Sequence, residues 1–292
     1  MPDKKTILVT GATGSQGGAV ARKLLDTQFQ VRALTRNPDK PAARSLAERG
    51  AEVVEGDFDD RTSLDRALDG VYGVFSVQNF WEVGFDKEVE QGVRMADAAQ
   101  KADVKHFVYS SVGSANEKTG IPHFDSKNQV EQHIHSLDLP FSILRPVFFM
   151  NNWESDMLKN MVLGGTVAQP LSPETRLQQI DVDDVGAFAR LAFENPDKWI
   201  GRELDIAGDE PTMLELAEAF SSALGQDVNF FQVPWDDFRA QAGDEYTDMY
   251  RWFEDVGYHA DIGALRREHS GLVRFDEYLL KHSWRKKEAV ER

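Results

Sequence analysis

Short β-branched runs alternate with helix-length amphipathic stretches through the first half of the chain, as expected when helices cover both faces of a parallel sheet. Strands are predicted over 7–10, 31–35, 52–55, 71–77, 106–111 and 141–144. Between them Ala19, Val20, Leu24 and Leu25, and later Val89, Val93 and Ala96, recur at helical steps and turn one apolar stripe toward the sheet. Right-handed crossovers then leave a doubly wound parallel α/β sheet as the expected fold. After Arg145-Pro146 the alternation fades. A helix is predicted near 181–184, where Asp181, Asp183 and Asp184 suit a helix N-terminus, and a strand near 203–206. Thr212, with Glu215 three residues on, reads as a capping box. Phe230-Phe231-Gln232-Val233 and an aromatic, acidic helical stretch over 235–258 complete the pattern.

Composition narrows the functional classes. The 292 residues carry a formal charge of −16, a field that repels nucleic acid and anionic membrane. Direct nucleic-acid binding is therefore not expected. With no cysteine there is no disulfide framework, thiolate nucleophile or Cys-ligated zinc, so redox chemistry must come from a bound cofactor. No apolar stretch approaches the about 18 residues of a membrane span, and the N-terminus lacks a signal-peptide core, which predicts a cytoplasmic protein without a membrane partner. The histidines show no metal-ligand spacing and the acidic trio no EF-hand pattern, so no metal is expected.

The strongest local signal is Val9-Thr10-Gly11-Ala12-Thr13-Gly14-Ser15-Gln16-Gly17-Gly18, between a strand and a helix. Glycine at these spacings lets backbone N–H groups approach a pyrophosphate at a helix N-terminus. Its spacing is GxxGxxG rather than GxGxxG. Gly11, Thr13, Gly14, Ser15, Gln16 and Gly17 are the candidate phosphate-binding residues. After the second strand, where an NAD-preferring protein carries an acid, stands Thr35-Arg36-Asn37-Pro38-Asp39-Lys40. Arg36 can fork onto a 2′-phosphate with Lys40 adding charge, so NADP(H) is expected over NAD(H); the alternative is a surface Arg36 paired with Asp39. Asp57 can accept from an adenine amino group, with Phe58 flanking the ring, or Asp57 can cap the next helix. Gln78 closes the fourth strand as a ribose contact or as loop punctuation.

GATGSQGG, LTRNPDK, GAEVVEGDFDD, QNFWE, HFVYSSV, HFDSK, LRPVFFMNNW and IDVDDVG follow one another in an order and spacing that resembles the NmrA-like family, atypical members of the short-chain dehydrogenase/reductase superfamily. The likeness is strongest over 5–153 and looser after Leu204. It implies a Rossmann-type, doubly wound parallel sheet with a smaller C-terminal α/β lobe. The expected domains are an NAD(P)-binding domain over 1–153, to which about 180–207 returns, and a substrate or partner lobe over 154–292. The resemblance also implies one of two functions: an NADPH-dependent oxidoreductase reducing a small flat acceptor such as a quinone, dye or enone, or a non-catalytic NADP(H) redox sensor regulating a protein partner. A homodimer stays open.

Ordinary members of the superfamily use a Tyr-x-x-x-Lys pair; the matching residues here are His123-Phe124-Asp125-Ser126-Lys127. Lys127 keeps its place, as a catalytic and ribose-binding candidate, and His123 replaces the tyrosine. One helical turn keeps both on one face, so His123 either donates a proton or only hydrogen-bonds nearby. Without the tyrosine, acceptors that take a proton from water or a weak acid fit better than simple alcohols. Ser110 and Ser111 close the fifth strand, where the superfamily often places a hydroxyl near substrate; the alternative is that they only satisfy backbone groups there. Pro146 is a cofactor candidate at the end of the sixth strand. Phe149, Asn152 and Trp153 beyond it, with Phe80 and Trp81, either wall a flat apolar pocket or pack as core.

Overall fold

The computed structural model describes residues 4–284; the outermost residues of both expected domains, 1–3 and 285–292, lie outside the described residues. Contacts divide the chain into two units: one runs to Pro146 and takes back Val182–Asp205, the other joins Val147–Asp181 to the chain from Ile206 on.

In the first unit the chain runs β1 (Thr6–Val9), α1 (Ser15–Leu25), β2 (Gln30–Thr35), α2 (Pro41–Glu48), β3 (Glu52–Glu55), α3 (Arg61–Ala67), β4 (Gly73–Ser76), α4 (Phe80–Val83), α5 (Phe85–Lys101), β5 (His106–Ser110), α6 (Pro122–Ser136) and β6 (Phe141–Pro146). The short β7 (Phe148–Phe149), α7 (Asp156–Leu163), β8 (Thr166–Gln169) and β9 (Gln179–Ile180) belong to the second unit, before α8 (Val182–Glu194), α9 (Pro196–Trp199) and β10 (Glu203–Ile206) rejoin the sheet. The second unit closes with α10 (Met213–Leu224), β11 (Asn229–Gln232), α11 (Trp235–Ala242), α12 (Asp244–Asp255), α13 (Ile262–Glu268) and α14 (Phe275–Lys281).

Among the described residues one seven-stranded sheet forms, in the order β10-β6-β5-β4-β1-β2-β3. Its ladders from β3 across to β6 are parallel. The strand order reverses between β1 and β4, and in open α/β sheets ligands bind at such a switch point, outside the carboxyl ends of the strands. One sheet face carries α3, α5 and α6, whose Leu64, Met95, Ala96, Val130 and Ile134 pack on Leu8, Leu34, Val74, Phe107 and Ile143. On the other face α8 lies so close to α1 that a Cβ on Gly186 would stand 2.8 Å from the Ala19 carbonyl oxygen. Arg145 of β6 fixes α6 from below, buried and bidentate on Glu131 at 2.9 and 2.7 Å.

The second unit contains two small parallel ladders, β11 with β8 and β7 with β9, and an aromatic core of Trp153, Phe220, Phe253 and Phe275. The capping box forms as expected: Thr212 Oγ1 accepts from the Glu215 N–H at 3.1 Å and Glu215 Oε2 from the Thr212 N–H at 2.7 Å.

Candidate functional site

At the switch point β1 ends on Val9, and the hydroxyl oxygen of Thr10 just after it accepts from the Val77 N–H at 2.9 Å and so ties the glycine loop to the end of β4. Gly11 then adopts φ +59°, and a Cβ there would meet Val77 Cγ1 at 2.9 Å, so both backbone and space require glycine. The turn closes with the Gly14 N–H donating to the Gly11 carbonyl at 2.9 Å. Helix α1 begins at Ser15, ahead of the apolar stripe that starts at Ala19, with Gly14 as an N-cap that makes no side-chain capping bond. The first N–H groups of a helix have no partner within it and carry its positive dipole end. Those of Ser15, Gln16 and Gly17, beside Thr13, therefore face outward for an anion. Gln16 Oε1 also accepts from Ser110 Oγ at 2.7 Å, joining the end of β5 to the loop.

Beyond β2 the exposed Arg36 does not pair with Asp39. Its Nη2 stands 2.6 Å from Glu82 Oε1 of α4, while Asp39 pairs with Arg44 at 3.0 Å. A cavity of about 580 Å³ opens beside it, lined by Arg36, Gly56 and Asp57 at the strand ends and by Asp60, Ser63 and Arg66 along α3. Lys40 stands at the N-cap of α2. The helix cap of α3 is Asp60, which accepts from the Thr62 N–H at 2.9 Å; Asp57 turns the loop, accepting from the Asp59 N–H at 2.9 Å. Phe58 is half-buried and leans on the core beneath.

On α6, His123, Ser126 and Lys127 are buried along one face. Lys127 Nζ lies 2.8 Å from Glu88 Oε1 and donates to the Gln78 carbonyl at 3.4 Å. Ser126 Oγ donates to the other oxygen of Glu88 at 2.5 Å. One turn earlier the His123 ring lies 4.9 Å from Trp81 and 5.6 Å from Phe80, centroid to centroid, and Trp81 is 53% exposed. Gln78 Oε1 and Ser111 Oγ are buried without a hydrogen-bond partner among the described residues, unspent polar atoms at the same strand ends. Tyr109 of β5 carries a fully buried phenol. Burial, then the Glu88 and Glu131 carboxylates, push its hydroxyl well above the ordinary tyrosine value and hold it protonated in the core.

The structure thus brings together within the first unit Gly11, Thr13, Gly14, Ser15, Gln16, Gly17, Gln78, Phe80, Trp81, Ser111, His123 and Lys127, with Arg36 and Asp57 along the cavity. Pro146 ends β6, its carbonyl accepting from the Gly113 N–H at 2.8 Å. Phe149, Asn152 and Trp153 belong to the second unit. There Phe149 pairs with Ile180, Asn152 is exposed, and Trp153 is core, its Nε1 donating to Gln179 Oε1 at 2.9 Å. Sequence reasoning missed Glu88 and Glu82. A signal existed for the first: Glu88, Gly92, Met95, Ala96 and Ala99 share one helical stripe, which places a carboxylate on the buried face of α5. Among the described residues no group of three or more His, Asp or Glu side chains could hold a metal ion, and no helix is long and apolar enough to cross a membrane.

The family model described as the NmrA-like family matches residues 3–279. The chain belongs to the NmrA-like family. A curated relative, the (4-alkanoyl-5-oxo-2,5-dihydrofuran-3-yl)methyl phosphate reductase of Streptomyces griseus subsp. griseus, is 34% identical over 233 residues, which covers 78% of this chain and 77% of that one. Among solved NmrA-like folds, Citrobacter sp. triphenylmethane reductase complexed with NADP(H) superposes with a TM-score of 0.80 at 23% identity, covering 95% of this chain and 99% of that one. NmrA, a negative transcriptional regulator, in complex with NADP, gives 0.77 at 22%, covering 94% of each chain. At these identities the two structures establish the shared Rossmann-type fold.

Proposed function

We propose that this NmrA-like protein binds NADP(H) in preference to NAD(H) and reduces a small, flat, conjugated acceptor in the cytoplasm. The observation that carries the reading is the convergence on the switch point of an uncapped helix N-terminus, a buried Lys127 with one N–H to spare, and an exposed Trp81 packed on His123. The residues fit a dinucleotide: outward N–H groups suit a pyrophosphate, and the unpartnered Gln78 Oε1 and Ser111 Oγ sit where polar ligand groups would be met. Arg36 would fork onto the 2′-phosphate, Asp57 would take the adenine end, and Lys127 would hold the ribose hydroxyls.

When bound, the reduced nicotinamide supplies a hydride. The protein's share is orientation: the face of Trp81, with Phe80 edge-on to it at 5.3 Å, offers a flat apolar surface on which a conjugated acceptor would stack. The acceptor's proton would come from the His123 imidazole or from water, which a quinone, a cationic dye or an enone tolerates better than a simple ketone does. The two reductases described above support this class. One is named for a triphenylmethane, the other for a ring carrying an alkene conjugated to carbonyl groups.

Mixing the purified protein with NADPH and a panel of quinones, triarylmethane and azo dyes and enones, and following the reduced-nicotinamide absorbance, tests the proposal. Turnover on at least one class, lost in Lys127→Ala, is the expected result. Tight NADPH binding with no turnover across the panel would overturn the reductase and leave a cofactor sensor acting on a protein partner.

A further inference from the structure

We infer that Glu88 is the positioning residue of the cofactor site: its buried carboxylate holds the Lys127 ammonium against the Gln78 carbonyl, so that a ligand meets a pre-set cation. The inference rests on the cofactor reading above. Glu88 is fully buried. Carboxylates are almost never found so unless paired, because the desolvation penalty is large, and an apolar side chain on the stripe of Gly92, Met95 and Ala96 would serve packing better. What the carboxylate does instead is engage two consecutive residues of α6, Oε2 with Ser126 and Oε1 with Lys127.

The arrangement accounts for the donors of Lys127. Of its three N–H groups, one goes to Glu88 at 2.8 Å and one to Gln78 at 3.4 Å, and no further partner of Nζ stands among the described residues. A lysine loses much rotamer freedom when it is fixed. Glu88 imposes that loss at folding rather than at binding, which is how pre-organisation raises affinity. The carboxylate sits one turn into α5, just past the left-handed Gly84 (φ +78°) that joins α5 to α4. Its bonds to α6 therefore also tie α5 to the helix whose first turn carries His123, while Gly84 joins α5 to the short α4 that carries Trp81.

A double-mutant cycle on NADPH affinity of the full chain, read by nicotinamide fluorescence, tests this. Glu88→Gln keeps the shape and one acceptor but removes the charge, and is expected to weaken NADPH about tenfold or more. In a Lys127→Met background the same change is expected to alter affinity by less than about twofold, because Glu88 acts through Lys127. Additive losses would overturn the inference and make Glu88 a structural support. If Glu88→Gln does not fold, Glu88→Asp keeps the charge with a shorter reach. Affinity below wild type then supports the inference, and wild-type affinity overturns it. A wild-type chain that fails to bind NADPH overturns the cofactor reading itself; wild-type binding with an unchanged Glu88→Gln overturns only the role of Glu88.

Discussion

Two anions compete for the Arg36 guanidinium: Glu82, at 2.6 Å, and the 2′-phosphate that the proposed cofactor would bring. Both side chains of the existing pair are well exposed, 56% and 45%, and such a pair is worth less than about 1 kcal/mol. A charge-assisted fork onto phosphate is worth about 1.5–3 kcal/mol, so the phosphate wins. Arg36→Ala is therefore expected to weaken NADPH about 10- to 100-fold, with NADH changed less than about threefold, by isothermal titration. Glu82→Gln is expected to tighten NADPH by about two- to fivefold, because the competitor is gone. Equal losses of both cofactors in Arg36→Ala would mean that Arg36 contacts only what the two share. Arg36 was legible because it stands where the second strand ends. Glu82 was not, since its α4 reaches Arg36 only through the fold, past two further strands.

At the scale of elements, the β1–α1 junction shows which glycine the fold cannot spare. A Cβ on Gly17 would stand 2.3 Å from the Thr10 carbonyl oxygen and 2.4 Å from that of Gly11, both backbone atoms that no side-chain rotation can relieve. Gly17→Ala must lift α1 off β1, an overpacking cost of about 1–3 kcal/mol or more, and it moves the very N–H groups offered to the phosphates. Lower thermal stability together with weaker NADPH binding is the expected pair of results. Thr212→Ala, which breaks the capping box of α10 in the second unit, supplies the contrast: about 1 kcal/mol of stability lost with NADPH affinity kept. If Gly17→Ala behaved like Thr212→Ala, the loop would be a packing device and no more. The strands of the large sheet, the glycine loop and the capping box were legible because their signals are local. The ladders of β7 with β9 and β8 with β11 were only partly so: β7 and β9 have two residues each, too few for a period to show, and β8 and β11 lie outside the alternation of strands and helices that marks the large sheet. The buried stripe of α5 was hidden by Asp86, Lys87 and Glu90, which make Glu88 look like one more solvated charge.

For the molecule as a whole, the net charge of −16 and the buried His106 pull on stability at different pH. His106 lies in β5 with Nε2 2.8 Å from Ser142 Oγ, its ring 5.3 Å from Phe193, and Nδ1 without a hydrogen-bond partner among the described residues. Burial lowers its pKa from 6.5 to about 4, so the folded chain refuses a proton that the unfolded chain accepts. The unfolded state then binds more protons between these values, and stability falls with pH from 6.5 down to about 4. At pH 5 the loss amounts to about 2 kcal/mol. Self-repulsion works the other way, but it is relieved only as carboxylates take up protons near their ordinary value of about 4, at the acid end of the window. Between pH 6.5 and 5 the histidine therefore prevails. Urea unfolding at pH 7.5 and 5.0 checks this against His106→Gln, which can keep a hydrogen bond to Ser142 and does not titrate. The wild-type chain is expected to lose about 2 kcal/mol more than the variant over that interval, whereas parallel losses would mean that the folded chain takes up the proton at His106 after all.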